Sequence, residues 1–157
     1  MAGKSLRCVC VGRLKTSFWK EAAAHYADRL SHWRRLELTD VRDGDAALPP
    51  GQRNALEGRR ILEVLTPQDI PLVLDERGRR LTSPQLADLL RQTDEGGRGR
   101  ACFIVGGAWG LDEAVLRRAD ARIRLSDMTL PHELARVVLL EQLYRAECIL
   151  RKVPYHH

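Results

Sequence analysis

No stretch of this 157-residue sequence runs apolar for about 18 residues, the length a helix needs to cross a bilayer, so no membrane partner is expected. The opening MAGKSLRCVCVG turns polar too soon to read as a signal peptide. Cysteine is sparse. Cys8, Cys10, Cys102 and Cys148 form no C-x-x-C pair and have no histidines at ligand spacing beside them. This excludes a zinc motif, so no metal is expected, and it points to small buried thiols in a reducing cytoplasm. There is no G-x-G-x-x-G and no P-loop lysine with its Ser/Thr, which removes the two commonest nucleotide fingerprints. Internal repeats and low-complexity segments are also missing.

What is present is an ordinary globular composition, 44% apolar and 30% charged, of a length that suits one domain over residues 1–157. The net charge of +5, carried mostly by arginine, favours a polyanionic partner. Apolar runs and turn residues alternate along the chain. Ser5 to Gly12 reads as a strand, followed by a helix from Ser17 to about Ser31, with Thr16 or Ser17 as its cap and Phe18, Trp19, Ala22, Ala23, Tyr26, Ala27 and Leu30 on its apolar face. Leu36, Leu38 and Val41 suggest a second strand. Arg42 to Gly51 is loop, and a helix from Gln52 to Leu65 follows, with Ala55, Leu56, Ile61, Leu62 and Leu65 on its buried side and Gly58 weakening its middle. Ile70 to Leu74 reads as a strand buried on both faces, Glu76 to Arg80 as a charged turn, and Ser83-Pro84 as a capped helix start.

Ala101 to Val105 is a further buried strand. Gly106 to Gly110 then turns sharply, Asp112 caps a short helix through Arg118, and Ile123 and Leu125 alternate with Arg122 and Arg124 in a strand near an edge or beside solvent. A final helix runs from Pro131 to Leu150, apolar on so many sides that burial from two directions is expected, the second by a partner subunit. Five β–α units imply an α/β fold with a mostly parallel sheet flanked by helices.

Two loops stand where strands end, the place where open α/β sheets bind ligands. Gly106, Gly107 and Gly110 in G-G-A-W-G let backbone N–H groups approach a ligand, or simply make a tight turn. Ser126 to Pro131 (SDMTLP) is either a ligand loop or a helix cap centred on Thr129. Glu141 and Arg145 stand four apart, at pairing distance on a helix. The tail, with Lys152, Tyr155, His156 and His157, has cations and rings suited to contacting RNA, or is simply a frayed end.

Taken together, FIVGGAWG, LSDMTLPHELARVVLLEQLYRAECI and PYHH resemble the bacterial large-subunit rRNA pseudouridine N3-methyltransferases, small members of the SPOUT class of knotted methyltransferases. The resemblance spans nearly the whole chain. It implies a C-terminal trefoil knot, S-adenosyl-L-methionine as cofactor, and a homodimer in which one subunit's tail lies near the other's cofactor. It also implies a pseudouridine substrate in a 23S rRNA hairpin of the large subunit or whole ribosome. Cofactor-binding positions carry over to Leu74, Gly107, Ser126, Asp127, Met128, Thr129, Leu130 and Pro131. His156 becomes the candidate base or orienting group, Tyr155 a stacking or hydrogen-bonding group, and Arg145 a stabiliser of charge on a carbonyl oxygen. The chain departs from the family at Trp109, where a smaller or acidic residue is expected, and at His157, where a cation often follows the histidine. Two rivals are a non-catalytic ribosome-binding protein that keeps the knotted fold, with its pocket blocked by Trp109, and a nucleotide-binding enzyme of unknotted α/β topology.

Overall fold

The computed structural model describes residues 3–155. The chain alternates strand and helix throughout: β1 (Leu6–Val11), α1 (Ser17–Ser31), β2 (Leu36–Val41), α2 (Pro50–Val64), β3 (Asp69–Arg80), α3 (Ser83–Glu95), β4 (Arg100–Val105), α4 (Glu113–Arg118), β5 (Ala121–Arg124) and α5 (His132–Arg151). The strands form one parallel sheet in the order β2-β1-β4-β3-β5. The edge positions of β2 and β5 explain their mixed polarity, while the fully buried β1 is apolar along most of its length.

Strand side chains alternate between two layers. Cys8, Cys10, Leu72, Phe103 and Val105 face a core shared with α1, α3 and α5. Val9, Val11, Val73, Cys102 and Ile104 face a second core with α2 and α4. All four cysteines are buried and free. Burial pushes the Cys8 thiol well up and the Cys10 thiol up to about 11, so neither is a reactive thiolate at neutral pH.

Helix α5 lies between α1 and α3 on one face of the sheet, in contact with both. That arrangement corrects the expectation that a partner subunit is needed to cover its second side. Leu139, Leu140, Leu143 and Ala146 are already buried within one chain. Further differences are local. The cap of α3 is Thr82 rather than Ser83, because Thr82 and Gln85 form a reciprocal capping box. Helix α5 starts after Pro131 without a side-chain cap, so Thr129 does not cap it. Thr16 sits at the start of α1, but its hydroxyl donates to Glu133 of α5 (3.1 Å) instead of capping. Phe18 is largely exposed, stacked edge-on against Trp19.

The charged segment after Leu74 is a wide bulge rather than a terminating turn. Leu74 and Arg79 both pair with Ile123, so residues 75–78 loop out and β3 resumes through Arg80. A Cβ at Gly78 would come within 2.7 Å of the Ile123 backbone, which is why the crossing needs glycine. Asp112 caps α4 as expected, accepting from the Ala114 N–H at 3.2 Å.

Candidate functional site

The carboxyl ends of β3, β4 and β5 open into one cavity of about 990 Å³. Its walls are the β3 bulge (Leu74 to Arg77), the loop after β4 (Gly106 to Leu111), and the loop after β5 with the first turn of α5. Of the residues expected to bind cofactor, Leu74, Gly107, Ser126, Met128, Thr129, Leu130 and Pro131 all line it. Asp127 does not. Its carboxylate turns outward to Arg80 (2.7 Å) and Arg124 (3.5 Å), which ties the β5 loop to the bulged end of β3.

The glycine loop is held in shape by backbone and by α2. Gly107 and Gly110 form an antiparallel bridge, and Gly110 has φ +83, a conformation that favours glycine. A Cβ on Gly106 would sit 2.8 Å from the Gly110 carbonyl oxygen, and one on Gly107 would sit 2.9 Å from Glu57 Oε1. The Asn54 side-chain amide donates to the Trp109 carbonyl at 3.0 Å. The Trp109 side chain, 61% exposed, stands at the rim and leaves the cavity open. Met128, 79% exposed, also borders it.

The first turn of α5 fastens a neighbouring loop. Glu133 accepts from the Lys15 N–H and the Thr16 hydroxyl, and these bonds hold its carboxyl below the usual carboxylate range. Arg136 donates to the Gly12 carbonyl at 2.8 Å and pairs with Asp40 at 3.0 Å.

Arg145 and Tyr155 meet at the other end of α5. Arg145 pairs with Glu141 at 2.7 Å and lies over the Tyr155 ring, 4.9 Å from its centroid. The Tyr155 hydroxyl donates to the same Glu141 oxygen at 3.1 Å. Burial and this bond push the phenol up to about 12, so Tyr155 is a donor rather than a base at neutral pH. Lys152, with φ 57, ends the helix in the left-handed conformation and turns the tail back, so that Tyr155 packs edge-on against Tyr144 at 4.8 Å. His156 and His157 lie outside the described residues. Arg145 stands roughly ten residues along α5 from the cavity-lining Ala135, and so about 15 Å away. Within one chain the two groups of site residues are therefore separate.

Two residues escaped the sequence reading. Asn54 and Glu57 share one helical stripe with Ile61, and Glu57 is buried where Ala55 and Leu56 are only half-buried. Two polar side chains one turn apart on the stripe that leads to Ile61 were the available signal.

A parallel sheet with helices on both faces, and a large cavity walled by a glycine loop at its strand ends, defines an α/β protein with a small-molecule site at the carboxyl edge of the sheet. The chain belongs to the SPOUT methyltransferase family: the family model described as "Predicted SPOUT methyltransferase" matches residues 5–156. It is 74% identical over 157 residues to the "Ribosomal RNA large subunit methyltransferase H" of Desulfovibrio desulfuricans, covering 100% of both chains. It is 60% identical over 154 residues to the protein of that name from Nitratidesulfovibrio vulgaris, covering 98% of this chain and 99% of the relative. Among solved structures, a "Probable Methyltransferase from Bordetella pertussis Tohama I" superposes with a TM-score of 0.55 at 15% identity, over 92% of this chain and 94% of that one, a likeness of fold alone.

Proposed function

We propose that this protein methylates N3 of a pseudouridine in 23S rRNA of the large subunit, on the assembled ribosome in the cytoplasm, using S-adenosyl-L-methionine, and that it works as a homodimer of single-domain chains. The observation that carries the reading is the open cavity at the strand ends, in a chain 74% identical to a relative named as a large-subunit rRNA methyltransferase.

The residues present fit the donor. The cavity has the volume for it, Leu74, Leu125 and Leu130 offer apolar walls, and Gly106 and Gly107, which have no room for a side chain against the protein behind them, offer it bare backbone. When bound, the donor supplies a methyl group on a positively charged sulfonium. Leu74, Gly107, Ser126, Met128, Thr129, Leu130 and Pro131 hold it, while Asp127 shapes the loop through its arginine pairs. Fixed alignment of the two reactants accounts for much of the rate.

Arg145, Tyr155 and His156 act on the RNA base. Arg145 balances charge on a base carbonyl oxygen, the Tyr155 hydroxyl and ring orient the base edge, and His156 receives or shares the imide proton. Because Arg145 and Tyr155 stand far from the cavity of their own chain, they serve the cavity of a second copy. A C-terminal knot is part of this reading. The close crossing of Gly78 against β5, and the return of the chain from edge strand β5 to α5 between α1 and α3, support it. The rival in which Trp109 blocks the cavity finds no support in its exposed side chain.

The test incubates the protein with methyl-labelled S-adenosylmethionine and ribosomes lacking the modification, with or without the pseudouridine. Label in large-subunit rRNA only when pseudouridine is present is the expected outcome. Label that is indifferent to pseudouridine, or absent, overturns the assignment.

A further inference from the structure

Glu57 is 2% exposed and lies directly beneath the glycine loop. Its Oε2 accepts from the Gly44 N–H at 2.8 Å and from Arg53 Nε at 3.3 Å. Its Oε1 is buried and has no hydrogen-bond partner among the described residues. That oxygen faces Gly107, 2.9 Å from where a Cβ would stand, and Gly107 lines the cavity. One glycine backbone therefore separates a buried carboxylate from the ligand space.

Structure alone gives a poor reason for this carboxylate. An unpartnered buried acceptor destabilises the fold, and more so when it is charged. Glutamine would keep an oxygen for the Gly44 N–H without burying a charge. The nearby cation does not cancel the charge outright either, because Arg53 is shared with Asp43 at 3.8 Å, leaving two carboxylates to one guanidinium. Asn54, one turn before Gly58 on the same helix, holds the Trp109 carbonyl, so the loop is fixed at a set height above Glu57.

We propose that Glu57 is a positioning residue whose fixed negative charge, acting through the Gly107 backbone, makes the cavity favour the charged sulfonium donor over its neutral thioether product. This rests on the donor reading given under Proposed function. A charge set a few ångströms behind a low-dielectric wall attracts a cation and has little effect on a neutral group of the same shape. Methyl transfer removes the positive charge from sulfur, so the same carboxylate that retains the donor releases the product.

The experiment is titration calorimetry of the full chain with S-adenosylmethionine and, separately, S-adenosylhomocysteine. Glu57→Gln is expected to weaken donor binding about tenfold and product binding less than about twofold. Glu57→Asp, which keeps the charge, is expected to restore the preference. Asn54→Ala, which frees the loop without changing charge, is expected to weaken both ligands alike. Arg53→Gln removes the neutralising cation and shifts the preference the opposite way, towards the donor, which gives a reading even if Glu57→Gln does not fold. Equal weakening of both ligands by Glu57→Gln, or an unchanged ratio in Arg53→Gln, overturns the role of Glu57. Wild-type protein that binds neither ligand overturns the donor reading itself, and this proposal with it.

Discussion

Gly107 has no room for a side chain, since an added Cβ meets Glu57 Oε1 at 2.9 Å and Val11 Cγ1 at 3.1 Å. Gly107→Ala is expected to abolish measurable donor binding in calorimetry while lowering stability by about 1–3 kcal/mol in denaturant unfolding, as overpacking does. The need for glycine here was legible in the sequence as a cluster after a strand, but its cause, a carboxylate from a helix some fifty positions earlier, was not. Tyr155 gives a second residue-scale test. A spectrophotometric titration should find a phenol that ionises near 12, and Glu141→Gln should bring it down by removing the negative acceptor. A phenol raised in the folded state stabilises fully below the unfolded value of about 10, and that stability is lost as pH rises from there through the folded value. Arg145 and Tyr155 were both legible as candidates. Spacing alone makes their common partner, Glu141, half of an ordinary helical pair, because a sequence shows four-residue spacing and not a tail folding back.

Helix α2 reverses the usual rule for a mid-helix glycine. Replacing such a glycine by alanine normally stabilises by about 1 kcal/mol. Here a Cβ at Gly58 would lie 2.8 Å from Asp112 Cβ and 3.3 Å from Val115 Cγ2, so Gly58→Ala is expected to destabilise by about 1–3 kcal/mol, read as a lower denaturant midpoint. The strand amino ends carry a different device. Arg7 and Arg100 converge on Asp69, at 2.6 and 2.8 Å, and both also pair with Glu37. Burial raises the Asp69 carboxyl, but the Thr66 N–H and the two guanidiniums outweigh it and hold the group below the usual range. A depressed carboxyl contributes stability that is present above its unfolded value, near pH 4, and lost as pH falls through the folded value. Asp69→Asn is therefore expected to cost about 3 kcal/mol at neutral pH and to flatten the acid limb of the stability curve. The strands and helices themselves were legible from apolar periodicity, with ends displaced by a residue or two. The exceptions follow from tertiary contact: Thr16 gives its hydroxyl to Glu133, and β3 continues past its bulge because β5 accepts it again.

At the scale of the molecule, the cavity and the Arg145–Tyr155 cluster lie far apart along α5, which makes a single copy an incomplete enzyme under the proposed function. Light scattering is expected to give a dimer. Mixing an inactive Gly107→Ala chain with an inactive Arg145→Ala chain should restore about a quarter of wild-type activity, since half of randomly formed dimers carry one intact composite site. No recovery on mixing would place the whole site within one chain. Taken by itself, the sequence determined the α/β alternation, the central and edge strands, the buried thiols, and the two loops that wall the cavity. Each of these is written in local periodicity or in glycine and proline at fixed positions. The tertiary structure alone decided the strand order, the sharing of α5 between α1 and α3, the outward turn of Asp127, and the placing of Glu57 under Gly107. These depend on which distant segments meet, and neither residue type nor spacing records that. Polar groups in particular take their roles from the partner that reaches them, so Asp127 became a loop tie and Glu57 a buried charge only once the chain had folded.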